Sequence, residues 1–294
     1  MSVKVTIGLC VKNSEKIVET ALNSMLRQDY PSENLKIVVI DDGSEDGTLN
    51  VVNAYISKMN MQIQLLSSRG KGLGASRQMV VDNAEGDYVV WIDDDFVLEK
   101  DFIRRYVEFM EKNPDVGVAT SYQILRKDKL IYRLDSYLKM LTRINKTLTP
   151  TAGLILRAEA VRQVGGFDVK IKGASEDQDI ARRIKDVGWR LAFINLENYY
   201  QKDSPATWKA LWQKHFWYGY GRHFILHKHR NRLEWELFFP SALWIGFRNS
   251  LRLYPLVHEK QVFLLAPFCF YMAAAGFFGF FRSHLDGYGH NLIS

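Results

Sequence analysis

Residues 35–48 read LKIVVIDDGSEDGT, a short apolar run rich in β-branched residues that stops at two aspartates and a glycine-bearing turn. A run of this length between turn residues is read as a buried strand, and the helical spacing that resumes over Leu49–Met59 makes it the first half of a strand–helix unit. Reading towards the N-terminus, Val3–Val11 is a second β-branched run, and Ile17, Val18, Ala21, Leu22, Met25 and Leu26 give the segment after it a helical period. Reading towards the C-terminus, a strand over Gln62–Leu66, the loop SSRGKGLG, a helix near Ala75–Ala84 and a strand over Tyr88–Ile92 continue the alternation. Repeated strand–helix units predict a largely parallel sheet with helices on both faces. Ligands of such sheets collect at the carboxyl ends of the strands, and acidic clusters follow two of them, at 41–42 and 93–95.

The 294 residues, 47% hydrophobic and 24% charged, can bury a sizeable core as one large domain or two smaller ones, and the composition is not that of a disordered chain. A formal charge of +6 favours anionic partners without choosing among nucleotide diphosphates, nucleic acid and an anionic membrane. Two cysteines, Cys10 and Cys269, supply neither a disulfide framework nor a CxxC metal motif. The N-terminus reads directly as a strand, so secretion is not expected. Between Phe102 and about Asn198 the pattern is mixed: a helix, a strand near Val116–Tyr122, a helix over Lys129–Arg143, the stretch LTPTAGLILR and a helix containing EDQDIARRI. Beyond Tyr199 the chain turns aromatic and basic, then strongly apolar. Residues 261–281 carry no formal charge over a length that suits a membrane-crossing helix. Leu237–Leu256, interrupted by Arg248 and Arg252, suits an interfacial amphipathic helix, and RHFILHKHRNR at 222–232 is a juxtamembrane basic run. The expectation is membrane association through 237–281; the alternative is a helical hairpin packed on the rest of the chain or in a homodimer.

Three acidic motifs carry chemistry. In Trp91–Phe96, WIDDDF, extended alternation would put Asp93 and Asp95 on one side and Asp94 elsewhere, and a D-x-D pair suits Mg²⁺ or Mn²⁺ held together with substrate phosphates. A solvated acidic turn satisfies the same short pattern. Asp41 and Asp42 can accept hydrogen bonds from a base or ribose, or cap a turn. Glu176-Asp177-Gln178-Asp179 opens a helix, where a carboxylate can act as general base or simply favour the helix N-terminus. GKGLG, with no following Lys-Ser/Thr pair, is read as a turn-forming loop. His215, His223, His227 and His229 are expected to form a solvated or lipid-facing basic face rather than a zinc site, and Trp208, Trp212, Trp217, Tyr218 and Tyr220 to pack or to lie at an interface.

Taken in order, these motifs, with TIGLCVKNSEKIVETALNSMLRQDYP, LILRAEAVRQVGGFD and ASEDQDIARRIKDVGWRLAFI, resemble the family 2 glycosyltransferases over residues 3–225. That family is the inverting GT-A group that includes polysaccharide synthases and dolichol-phosphate sugar synthases. The resemblance implies a GT-A α/β fold with a C-terminal membrane-associating helical segment, and transfer of a sugar from a UDP- or GDP-sugar to a hydroxyl or phosphate acceptor, expected to be lipid-linked. It divides the chain into 1–100 (nucleotide-sugar half), 101–232 (acceptor and catalytic half) and 233–294 (apolar helical region). It implies that Asp41 and Asp42 bind the nucleoside, with Asn13 near the same pocket, and that Asp93 faces the ribose or metal. Asp95 is then the metal ligand and Asp177 the catalytic base. Cys10, Asp94, Lys71 and Arg77 complete the surroundings of the donor, the two cations suiting its diphosphate. The implied cofactor is Mg²⁺ or Mn²⁺, and the place of action the cytoplasmic face of the cell membrane. Three departures stand out. The first loop, Cys10–Glu15, lacks the aromatic that would pack on the base; Gln213–Trp217 lacks the arginine of the processive Q-x-x-R-W motif; and Gln201 stands where many relatives have a histidine metal ligand. A sugar-nucleotide pyrophosphorylase would need a glycine-rich loop where VKNSEK stands. A silent binding protein would be expected to lack the acids, and the apolar tail argues against a nucleic-acid partner.

Overall fold

The structure, a computed structural model, describes residues 3–57, 61–124, 129–145, 153–200, 207–229 and 239–288. Gln201, Leu237 and the last residues of the 222–232 basic run lie outside these. The chain divides into two compact units, Met1–Ile124 with Leu148–Lys172 and Glu176–Lys202, and Leu125–Thr147 with Gly173–Ser175 and Asp203–Ser294.

The first unit is built on an eight-stranded sheet. Its first half follows the strand–helix alternation: β1 (Val5–Val11), α1 (Val18–Leu26), β2 (Leu35–Asp41), α2 (Thr48–Ile56), β3 (Gln62–Ser67), α3 (Leu73–Asp82) and β4 (Tyr88–Asp93). The second half holds β5 (Phe96–Val97), α4 (Phe102–Lys112), β6 (Val116–Ile124), β7 (Leu154–Arg157), α6 (Ala158–Gln163), α7 (Glu176–Asp186) and β8 (Arg190–Tyr200). The number α5 belongs to Leu130–Asn145 of the second unit. The strand order is β3-β2-β1-β4-β7-β6-β8-β5. β1 pairs in parallel with both β2 and β4, whereas β7 is antiparallel to β4 and to β6. The sheet is therefore mixed and parallel-dominated, flanked by helices, as expected.

Strand alternation divides the apolar side chains between two cores. Leu35, Ile37 and Val39 of β2 join β1, α1 and α4 residues on one face, and Val38 and Ile40 join Val80 of α3, Val161 of α6 and Ile184 of α7 on the other. Both faces are covered, which is why the strands read as continuous apolar runs rather than alternating ones.

The second unit is helical: α5, α8 (Trp208–Lys228), α9 (Phe239–Val257) and α10 (Leu265–Leu285). Its core gathers Leu134 and Leu141 of α5, Leu211 of α8, Leu253 of α9 and Phe268 of α10. Glycines let α8 and α10 approach backbone to backbone: a Cβ on Gly279 would stand 1.9 Å from the carbonyl oxygen of Phe216, and one on Gly219 1.9 Å from that of Gly276. Residues Lys260–Leu285 include an 18-residue stretch of mean hydropathy 1.9, long and apolar enough to cross a membrane. The histidines of α8 are not one solvated face: His223 is fully buried, and burial lowers the pKa of His215 to about 4.

Candidate functional site

The parallel register assembles the acidic motifs. Cys10 stands beside Ile40 on one side and Asp93 on the other, and Val11 stands beside Asp41, which in turn pairs with Ser67. Residues far apart in sequence are thus brought to the carboxyl ends of four adjacent strands. The strands end here because each apolar run meets a residue that prefers water or a turn.

The loops that follow are tied to one another. The buried carboxylate of Asp41 accepts hydrogen bonds from the backbone N–H groups of Gly43 and Ser44, each at 3.1 Å, so the turn-forming role is realised. Asp42 accepts from the Ser68 hydroxyl and from the Gly72 N–H at 3.1 Å, and lies 3.8 Å from Lys12 Nζ. Asn13, at φ 52, accepts from the Glu45 N–H at 2.8 Å, while its own N–H donates to Ser44 Oγ at 3.0 Å. Ser14 donates to the Asp94 carboxylate, which fastens the loop after β1 to the turn after β4. Lys71 is exposed in the GKGLG loop. Gly72 is required in that loop: its φ is +94, and a Cβ would stand 2.8 Å from Lys172 Cα. Gly72→Val is therefore expected to cost about 1–3 kcal/mol, read as a lower urea midpoint with an unchanged slope.

β4 ends at Asp93, and Asp94 and Asp95 form a turn before β5. The extended alternation expected for 93–95 stops at its first residue, because a parallel strand finishing at the sheet edge gives way to a turn. All three aspartates are half-buried.

Arg77 is the electrostatic centre. It is 5% exposed; its guanidinium lies 3.0 Å from Glu176 and 3.7 Å from Asp93, over the rings of Trp91 and Phe167 at 5.2 and 5.9 Å. Burial opposes its charge, but Glu176, Asp93 and Asp177 hold its pKa above the ordinary value. Arg77 thus bridges the end of β4 and the start of α7, a role that its place in the sequence did not disclose. Burial raises the Glu176 carboxyl to about 8, with Arg77 pulling the other way. Asp177 is likewise raised, by burial first and against Arg77; it is half-buried, and its carboxylate accepts from the Gln178 N–H at 2.8 Å. The residue before α7, Ser175, has φ 82, an uncommon left-handed conformation for a non-glycine. Asp179, the last acid of the quartet, is fully buried and paired with Arg183 at 2.8 Å, a structural role. Burial pushes the Cys10 thiol up to about 12, which makes it a neutral wall. Ser14 and Ser68 carry no signal in the sequence, and Glu176, the first acid of its quartet, is distinguished from Asp177 only by its burial against Arg77.

The site therefore gathers carboxylates around one buried cation at the carboxyl ends of the parallel strands, with Glu176 and Asp177 of α7 raised by burial. The profile described as Glycosyl transferase family 2 matches residues 6–164, and that of Glycosyl transferase family group 2 matches 88–279. The chain belongs to glycosyl transferase family 2. It is 34% identical over 101 residues to the poly(ribitol-phosphate) beta-N-acetylglucosaminyltransferase TarS of Staphylococcus aureus, a match that covers 34% of this chain and 18% of that protein. It is 21% identical to the probable glycosyltransferase YdaM of Bacillus subtilis, covering 93% of this chain and 69% of that one. Among solved structures, the mannosyltransferase PcManGT of Pyrobaculum calidifontis superimposes with a TM-score of 0.64 at 19% identity, over 94% of this chain and 74% of that one. S. aureus TarS 1-349 does so with a TM-score of 0.54 at 19% identity, over 97% and 92%. The fold is that of the GT-A transferases.

Proposed function

We propose that the chain is an inverting glycosyltransferase that moves a sugar from a UDP- or GDP-sugar to a hydroxyl or phosphate acceptor carried on a lipid. The observation that carries the reading is the joining of Asp93 and Glu176-Asp177 through Arg77. It sets a general base and an acid that faces the ribose or the metal around one fixed charge. Support for the donor comes from the fold relatives, solved with GDP-Man and Mn²⁺ and with UDP.

Asp177 takes the proton of the acceptor hydroxyl as the oxygen attacks the anomeric carbon, and the bond to the nucleoside diphosphate breaks on the opposite face. Asp41 and Asp42, with Asn13, Cys10 and Asp94, shape the nucleoside side, and Lys71 reaches for the diphosphate. Arg77 holds the acids in place from below. The donor set of Asp93 and Asp95 is all oxygen and half-exposed, which fits a hard divalent cation. Mg²⁺ or Mn²⁺ bound there supplies neutralising charge to the departing diphosphate. In this reading residues 1–100 are the donor half, 101–232 the acceptor half and 233–294 the membrane-associating region.

The lipid-linked acceptor and action at the cytoplasmic face of the membrane rest on the second unit. There Leu243, Trp244, Phe247, Leu251 and Leu256 of α9 are exposed beside Arg248 and Arg252, an apolar face with a basic rim. The test is release of free nucleoside diphosphate by detergent-solubilised protein offered a panel of UDP- and GDP-sugars with Mn²⁺ or Mg²⁺. Cation-dependent release from one donor is expected. No release, together with no nucleotide binding by calorimetry, overturns the reading.

A further inference from the structure

Three histidines of the second unit meet at one point. His223 and His227 are one helical turn apart on α8, hence on one face, and His284 comes from the end of α10. His223 Nε2 is 3.1 Å from His227 Nε2 and 3.3 Å from His284 Nδ1, and one ring nitrogen from each residue lies within 4.8 Å of the others. A tetrahedral Zn²⁺ with imidazole ligands at about 2.0–2.1 Å has nitrogen–nitrogen edges of about 3.3–3.4 Å. Two of the three edges are therefore already close to that spacing.

The surroundings agree with ligation. His223 Nδ1 is 3.2 Å from Ser283 Oγ. When Nδ1–H donates to that hydroxyl, Nε2 carries the lone pair and turns it towards the other two rings; this outer bond is the one that metal-ligating histidines usually make. A proton on Nε2 could satisfy only one of its two nitrogen neighbours at a time, whereas a cation accepts a lone pair from each ring. The ring of Phe280 packs edge-on against His223 at 4.7 Å, giving the point an apolar wall. The nearby carboxylate of Asp286 is engaged by Arg282 and by the Tyr220 hydroxyl, each at 3.2 Å. Burial is graded, from His223 fully buried through His227 half-buried to His284 exposed, so an ion has a way in from the His284 side.

We propose that His223, His227 and His284 form a site for a borderline divalent transition ion, Zn²⁺ foremost, which clamps the end of α8 to the end of α10. Three neutral imidazoles without a carboxylate select Zn²⁺, Ni²⁺ or Cu²⁺ and disfavour Mg²⁺ and Mn²⁺, so this site differs in chemistry from the all-oxygen set at Asp93 and Asp95. Water takes the fourth position of a tetrahedral ion. The proposal does not depend on sugar transfer and stands or falls separately from it.

The test uses full-length, untagged protein in detergent, stripped with chelator and titrated with Co²⁺ and then Zn²⁺. One equivalent of Co²⁺ should give the intense visible bands of tetrahedral coordination, and Zn²⁺ should displace it. Loss of an outer partner alone typically weakens metal sites about 10–100-fold, so His284→Ala, at the exposed ligand, should weaken Zn²⁺ binding at least that much. It should also abolish the rise in Tm that Zn²⁺ gives the parent, while far-ultraviolet circular dichroism stays unchanged. Asp95→Asn should leave the bands intact. Absence of tetrahedral bands in the parent, equal Zn²⁺ affinity in His284→Ala, or loss of the bands in Asp95→Asn but not in His284→Ala would each overturn the proposal.

Discussion

Asp177→Asn is expected to lower kcat by roughly 10²–10⁴-fold while UDP or GDP binds as before. The substitution keeps the shape of the side chain and its acceptor oxygen for the Gln178 N–H, and removes only the capacity to take a proton. Burial raises the carboxyl above the ordinary aspartate value of 3.8, against the pull of Arg77, which makes the carboxylate a stronger base than one in water. The base works deprotonated, so activity falls as pH drops through the raised pKa, and the acid limb of kcat/KM should lie above pH 3.8. Diphosphate release across pH, with calorimetric nucleotide binding beside it, checks both parts. Parallel loss of binding and turnover would remove Asp177 from the role of base.

Above pH 8, where Glu176 is ionised, Arg77→Met is expected to destabilise the first unit by about 3–5 kcal/mol, because it leaves a buried carboxylate without its cation. The side chains of Arg77 and Glu176 are only 6% and 4% exposed, and they meet at 3.0 Å. Glu176 is already pushed up to about 8 by burial, and without Arg77 it rises further. A carboxyl raised in the folded state binds its proton more tightly there than in the unfolded chain. The folded state therefore loses relative stability as pH climbs from the ordinary 4.5 through that raised value. Urea unfolding should show a larger loss for Arg77→Met on the alkaline side of pH 8 than on the acid side. Adding Glu176→Gln should restore most of the stability. Equal losses at both pH values, with no rescue, would mean that only packing on Trp91 and Phe167 had been lost.

The first half of the sheet was legible because β1, β2 and β4 are covered on both faces and so are apolar at most steps, Thr6 and Lys36 aside. The acids at Asp41, Asp42 and Asp93 were legible for a related reason, since a buried strand must stop where charge begins. Other elements left no such mark. β5 is a pair of residues whose only sequence cue is Phe96, and β8 is interrupted by Asn195, Glu197 and Asn198, so neither reads as an apolar run. The part played by Arg77 depends on burial: at 5% exposure it serves the protein's own carboxylates, whereas the same arginine in an open loop would face a diphosphate. The histidine cluster was hidden by distance, since His284 lies 61 residues beyond His223 and no short-range spacing joins them. The i, i+4 pair His223 and His227 was a usable signal once the segment was taken as a helix.

The antiparallel seam between β4 and β7 has a consequence during synthesis. β4 is complete at Asp93, but its partner, Leu154–Arg157, is made about sixty residues later. At about 5–20 residues per second, the nascent chain carries an open, largely apolar strand edge for roughly 3–12 seconds. Such an edge invites pairing with other chains. The ribosome-bound half-sheet of this protein is therefore an aggregation-prone state, and a chaperone that binds extended apolar strands should engage it between the emergence of Asp93 and that of Leu154.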